Sequence, residues 1–337
     1  EREGTCKDTV MFSPETAADI YCFADDQINA LIDGGALLEV EYEAREVIEE
    51  NGGERSAAII AASRDEKLYA YPCTASNGYF LYYNSEFITP EEATSFEAIL
   101  DKCEKTGKKF GMEFTSGWYL YAFFKAAGLD VHSGKNDNFC DWNATCGIYK
   151  GTDVVESLIN LVTRDSFVNV NNDELVEGVK SGDIVACFSG TWNAAIMEEI
   201  YGSGYEATML PTFQLCGEDV QLHSVAGYKL VGVNSYSENT EWAQKFARWI
   251  TNEENQLLRF ELRGEGPSNI NAAQSEEVQA SKAIAALTKQ SRYGHIQRVP
   301  ESYWEAAYRL ANILMSGNIE GTKPQELLNE LVRAVQN

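Results

Sequence analysis

Short apolar runs broken by Gly, Ser or Asn alternate along this chain with longer segments whose apolar residues recur every three to four positions. The first pattern suits strands with one or both faces buried, and the second suits helices with one buried face. On that basis residues 20–23, 68–72, 79–83, 184–188 and 228–233 are predicted strands. Residues 27–32, 96–105, 118–127, 154–164, 173–180, 241–250 and 253–263 are predicted helices, and the chain beyond the turn Gly264-Glu265-Gly266-Pro267 reads as helical. Gly34 and Gly35 stop the first helix, and Asn239 or Thr240 caps the helix at 241. Alternation of this kind predicts α/β architecture, with helices covering both faces of a sheet.

The stretch 182–213 concentrates these signals: a strand, the breakers Ser189 and Gly190, Trp192 in the turn, a helix from Ala194 capped by Thr191 or Asn193, then a second strand ending on Leu-Pro-Thr-Phe. An indole in that turn sits at a strand's carboxyl end, where open α/β sheets bind ligands. A lone tryptophan serves as well to plug sheet against helix, so its placement alone leaves both roles open.

Composition narrows the choices. At 337 residues the chain is longer than one domain usually needs, which favours two lobes. Lys plus Arg number 27 against 52 Asp plus Glu, a formal net charge of -25. Such a surface repels phosphate backbones, and there is no basic stripe with interleaved aromatics, so nucleic acid is excluded as a partner. Strong acidity suits solubility after export. No run approaches the roughly 18 to 20 apolar residues that span a bilayer, and residues 1–10 lack the apolar core of a secretory signal, so any export signal is expected to have been removed. The eight cysteines show neither CxxC nor Cys/His metal spacing, which argues against zinc; no metal or cofactor is expected. Cys140 and Cys146 form the one close pair, open to either a disulfide or two free thiols.

Several blocks together carry a family resemblance: residues 18–39 (ADIYCFADDQINALIDGGALLE), 67–87 (KLYAYPCTASNGYFLYYNSEF), the Gly-Thr-Trp turn at 190–192, 227–260 and 299–317. Taken in order across nearly the whole chain, they resemble the extracellular solute-binding proteins of ABC importers, specifically the maltose-binding type. The resemblance implies a two-lobed periplasmic-binding-protein-like fold, each lobe a mostly parallel sheet flanked by helices. It places residues 1–73 and 228–277 in the first lobe and 79–222 and 283–337 in the second, with a hinge near 74–78, 223–227 and 274–283. Relatives carry about 40 to 50 residues, the length of a βαβ unit, before the segment matching Ala18-Asp19-Ile20. Residues 1–18 are shorter than that, so native sequence with a first strand-helix-strand is expected to precede them, or that strand to be supplied by something else.

The same resemblance assigns recognition residues in a cleft between the lobes. Sugars offer apolar C–H faces and hydroxyl rims, which call for flat aromatic platforms beside planar hydrogen-bonding groups. Phe23 takes the position of a first-lobe platform, with Asp26 and Gln27 as hydroxyl partners; Gln27 stands where relatives often have arginine. Trp118, Trp192 and Trp304 match second-lobe platforms, with Tyr303 the alternative to Trp304. Ser76 and Asn77 stand where relatives place a glutamate, and Glu113 is a substitute acceptor. The implied activity is non-catalytic capture of an oligosaccharide, a malto-oligosaccharide or other α-glucan, for delivery to the membrane subunits of an ABC permease. The protein is then expected to act as a monomer, extracellular and lipid-anchored, or periplasmic in a Gram-negative cell.

Two other functions compete. A polyamine or other cation suits an acidic chain of the same architecture but needs several carboxylates around the aromatics, and only Asp26 and Glu113 qualify. A glycoside hydrolase needs two carboxyls about 5 to 9.5 Å apart across the scissile bond. No such pair can be nominated: Glu198 and Glu199 are helix neighbours that do not face one another. His132, His223 and His295 sit in no triad motif.

Overall fold

The computed structural model describes residues 6–133, 137–296 and 298–337. Its principal strands are β1 (Ile20–Ala24), β2 (Ala70–Asn84), β3 (Lys109–Met112), β4 (Phe167–Asn169), β5 (Ile184–Gly190), β6 (Tyr205–Thr208), β7 (Ser224–Val233) and β8 (Gly294–Ile296). The principal helices are α1 (Cys6–Phe12), α2 (Ile28–Asp33), α3 (Phe96–Thr106), α4 (Gly117–Ala126), α5 (Gly151–Val162), α6 (Asn172–Lys180), α7 (Ala194–Tyr201), α8 (Thr240–Ile250), α9 (Glu253–Arg263), α10 (Lys282–Gln290), α11 (Glu301–Met315) and α12 (Pro324–Gln336). The chain divides into two compact units, 1–78 with 226–285 and 79–225 with 286–337.

In the first unit β7 pairs antiparallel with both β1 and β2. Strand alternation in β1 sends Tyr21 and Phe23 to one face, where both are buried among Ile28, Leu31, Leu37, Leu230 and Val233. The Tyr21 hydroxyl donates to the Ala36 carbonyl at 2.8 Å, which satisfies the one polar atom that this ring carries inside. Helix α8 leaves an aromatic stripe uncovered: Trp242, Phe246 and Trp249 recur at helical spacing and are 72%, 52% and 55% exposed.

In the second unit β3 lies between β4 and β5 and is parallel to both, while β2 pairs antiparallel with β5 and β6. The side chains under this sheet are largely aromatic. Phe96 of α3 meets Phe110 of β3 with ring centroids 4.8 Å apart, and Phe110 meets Phe188 of β5 at 4.8 Å, both edge-on. Trp142 is fully buried and stacks on Phe124 of α4 at 3.9 Å. Each such ring contributes roughly 1.5–3 kcal/mol by leaving water, so this cluster is where the stability of the unit is concentrated.

Two sequence expectations change here, and one left open is decided. Residues 68–72 and 79–83 are not separate strands: β2 runs unbroken through Ser76-Asn77-Gly78 because β7 pairs alongside, with Gly227 opposite Asn77 and Ala226 opposite Gly78. The two-lobed α/β class holds, but the sheets are mixed rather than mostly parallel. The ladders that β7 makes with β1 and β2 are antiparallel, and β4, β3 and β5 pair in parallel. Cys140 and Cys146 are free thiols, the first buried and the second exposed. Burial pushes the Cys140 thiol up to about 12, which keeps it protonated and unreactive.

Candidate functional site

Because β3, β4 and β5 are parallel, their carboxyl ends, Met112, Asn169 and Gly190, fall on one edge of the sheet in the second unit. The segments leaving those ends carry the chemistry. After β3 comes Glu113-Phe114-Thr115-Ser116 and the start of α4; after β4 the chain enters α6 through Asn171; after β5 it makes the 3-10 turn Thr191–Asn193. Helix starts gathered at strand carboxyl ends are the usual ligand edge of an α/β sheet.

Trp192 stands in that last turn, 48% exposed, with its six-membered ring lying over Gly190. A β-carbon on Gly190 would meet ring atom Cζ3 at 2.0 Å, so glycine is what lets the indole lie flat against the strand end. Trp118 is half-buried in the first turn of α4. Ser116 caps that helix by accepting from the Trp118 N–H at 3.3 Å, and the buried Tyr79 hydroxyl donates to the Trp118 carbonyl at 2.9 Å. Tyr79 is also the register partner of Gly190, and its ring lies 6.0 Å from that of Trp118. One buried tyrosine therefore supports Trp118 and pairs with the strand end from which the Trp192 turn leaves.

Gly117 joins a third ring to the group. Its Cα is held so close to α11 that an added β-carbon would lie 3.0 Å from Ala307 and from the Tyr303 ring, and 3.3 Å from Trp304 Cε3. Tyr303 is buried, donates to the Gly117 carbonyl at 2.7 Å and belongs to the core; its neighbour Trp304 packs against that core and is only partly buried. Between the two alternatives, Trp304 is the residue that can present a platform.

Glu113 is half-buried. Burial, and then the nearby Glu174 carboxylate, push its carboxyl above the ordinary range. Asn169, at the end of β4, accepts from the Thr115 backbone N–H at 3.1 Å and so ties the loop after β3 to the strand beside it. Sequence reading missed Asn169 and Asn172; the only signal was a run of asparagines, Asn169-Val170-Asn171-Asn172, just before a helix start.

The first-unit candidates are placed differently. Phe23 is completely buried against Tyr21 and beside Gly232, so it is a core ring and not a platform, because alternation along β1 turns it inward. Gln27 is buried, and its side-chain oxygen accepts from the Lys7 backbone N–H at 2.8 Å; it links α1 to the turn after β1. Asp26 is exposed in that turn, Ser76 is buried in β2, and Asn77 is half-buried opposite Gly227. Among the described residues no group of three or more His, Cys, Asp or Glu side chains could hold a metal ion, and no helix is long and apolar enough to cross a membrane.

Two α/β units, one carrying three tryptophans along a strand-end edge, define a ligand-binding protein of the two-lobed periplasmic-binding class. The chain belongs to the bacterial extracellular solute-binding protein family, whose model matches residues 11–286. It is 26% identical to the galactooligosaccharide-binding protein of Bacillus subtilis (strain 168) over 343 aligned positions, 94% of this chain and 75% of that one. A solved structure described as being with acarbose is 30% identical, with a TM-score of 0.86 over all of this chain and 88% of the other. The fold is shared too with a maltodextrin-binding protein from L. casei BL23 solved without ligand, 23% identical, TM-score 0.87, covering 99% of this chain and 88% of that one.

Proposed function

We propose that this chain is the extracellular binding component of an ABC importer and captures an oligosaccharide, an α-glucan such as a malto-oligosaccharide, on the tryptophan-lined edge of the second unit. The observation that carries this is the exposed indole of Trp192 seated flat on Gly190, with Trp118 and Trp304 on the same edge. Flat rings held in place take the apolar faces of sugar rings, while Glu113 and the strand-end asparagines supply the planar polar groups that hydroxyl rims need. Relatives named for galactooligosaccharide binding, or solved with acarbose, support the sugar class. A working affinity in the micromolar range is about -8 kcal/mol, which three stacked rings and several hydrogen bonds supply after ordering costs.

No catalytic step belongs to this reading, in which Glu113 serves as a hydrogen-bonding group and Glu174 caps the start of α6. The family setting supports export; the same reading makes the protein a lipid-anchored monomer that hands its ligand to permease subunits in the membrane.

Calorimetry against maltose, maltotriose, longer malto-oligosaccharides, a galactooligosaccharide, raffinose, xylo-oligosaccharides and spermidine tests the assignment. A glucan is expected to bind, unchanged in length on prolonged incubation, and Trp192→Ala or Trp118→Ala is expected to weaken it by about 1–3 kcal/mol, as buried aromatic anchors do. Failure of every glucan, together with unchanged affinity of Trp192→Ala for whichever ligand does bind, sinks both ligand and site. A spermidine complex that weakens steeply with salt favours the cation reading instead.

A further inference from the structure

The Trp192 indole is held along its edge as well as on its face. Its Nε1–H donates to Asn172 Oδ1 at 3.3 Å. The same oxygen accepts from Asn193 Nδ2 at 2.8 Å, and Asn193 Nδ2 also donates to Ser189 Oγ at 2.9 Å. Ser189 and Asn193 are buried, at 1% and 4% exposure, whereas Asn172 is the exposed first residue of α6.

The valences of this chain close. Asn193 Nδ2 has two hydrogens and two acceptors, Asn172 Oδ1 has two lone pairs and two donors, and the indole has its single N–H. Turning the Asn172 amide over would set its NH2 against two other donors, so the oxygen is fixed toward the indole. The anchor of the chain is Ser189 in β5, the strand that also provides Gly190 under the ring face. Face and edge together leave the indole one orientation.

We propose that Asn172 is the positioning residue of the Trp192 platform: its side-chain oxygen, braced by Asn193 and Ser189, sets the plane of the indole before any ligand arrives. This rests on the reading of Trp192 as a sugar platform. A platform already in its bound rotamer gives up less freedom on binding, an effect of about two- to ten-fold in affinity for one side chain.

The test compares Asn172→Ala and Asn172→Asp in the full chain, alone and with Trp192→Ala. The first readout needs no ligand: the indole N–H resonance of Trp192, assigned among the six tryptophans by its loss in Trp192→Phe. Asn172→Ala is expected to shift and broaden that resonance, and Asn172→Asp, which keeps the acceptor for both the indole and Asn193, is expected to hold it in place. The second readout is calorimetry with maltotriose, where Asn172→Ala is expected to weaken binding by about two- to ten-fold and to add nothing in the Trp192→Ala background. An unmoved indole resonance overturns the proposal, and so does an Asn172→Ala loss of equal size with and without Trp192. If Trp192→Ala binds as the parent does, or no sugar binds at all, the platform reading fails, and the resonance still decides whether Asn172 orients the ring.

Discussion

Whether an aromatic side chain can serve a ligand is decided by the face it shows, and this chain separates its rings cleanly on that ground. Phe23 and Trp192 both lie near the carboxyl end of a strand, yet one is fully buried and the other half exposed. Phe23→Ala is therefore expected to cost about 3–5 kcal/mol of stability, the range for deleting a buried phenyl ring, read as a lower urea midpoint, while leaving sugar affinity of the folded fraction unchanged. A stable Phe23→Ala protein with weakened binding would return that residue to the site. The three tryptophans proposed as platforms in the second unit were nominated by the family resemblance, and only Trp192 also stood on a local signal, the breakers Ser189 and Gly190 at a strand's end. The inward turn of Phe23 was not legible, because five residues of strand fit either facing until the partner strand is known. Asn172 was invisible for a different reason: the turn it steadies lies 20 positions away, and only the parallel pairing through β3 brings the ends of β4 and β5 to one edge.

At the scale of elements, helix starts and stops were read closely and strand extents were not. Helix boundaries are written locally, in caps. Asn171 accepts from the Glu174 N–H at 3.0 Å while Glu174 accepts in return from the Asn171 N–H at 3.0 Å, a reciprocal box readable within four residues. Removing it by Asn171→Ala is expected to cost about 1 kcal/mol, measured by urea unfolding. A loss below about 0.3 kcal/mol would show that tertiary contacts alone hold the start of α6. Strand length depends instead on a distant partner, which is how Ser76-Asn77-Gly78, with the composition of a turn, became the middle of a 15-residue strand.

Over the molecule as a whole, the charge imbalance says little about fold, but a pair of histidines says something about pH. His223, just before β7, and His295, in β8, face each other with Nδ1 and Nε2 2.8 Å apart and their rings within 14° of coplanar. Burial, and then the Lys125 cation on α4, lower both to about 4, with Asp130 opposing in part at His295. Tyr121 and Tyr293 are the remaining ring neighbours, against His295 and His223 respectively. In the folded protein the pair stays neutral, whereas an unfolded histidine takes up its proton near 6.5. The contribution to stability is thus complete above about pH 6.5 and is lost as pH falls from there toward 4. The melting temperature is expected to drop across that window, and His223→Gln with His295→Gln is expected to flatten that part of the profile. An unchanged slope in the double variant would assign the acid sensitivity to carboxylates.

The uncovered stripe on α8 bears on how the molecule can be watched. Of the six tryptophans, Trp192, Trp242 and Trp249 face solvent while Trp142 is sealed in the core. Light emitted by the chain under ultraviolet excitation then includes three wet indoles, two of them in a unit that carries none of the proposed platforms. A sugar settling on Trp192 would dim or shift only a fraction of that glow, and a titration followed this way would look like weak or absent binding. With Trp242 and Trp249 both replaced by phenylalanine, that background falls and all four remaining tryptophans lie in the unit that carries the proposed platforms.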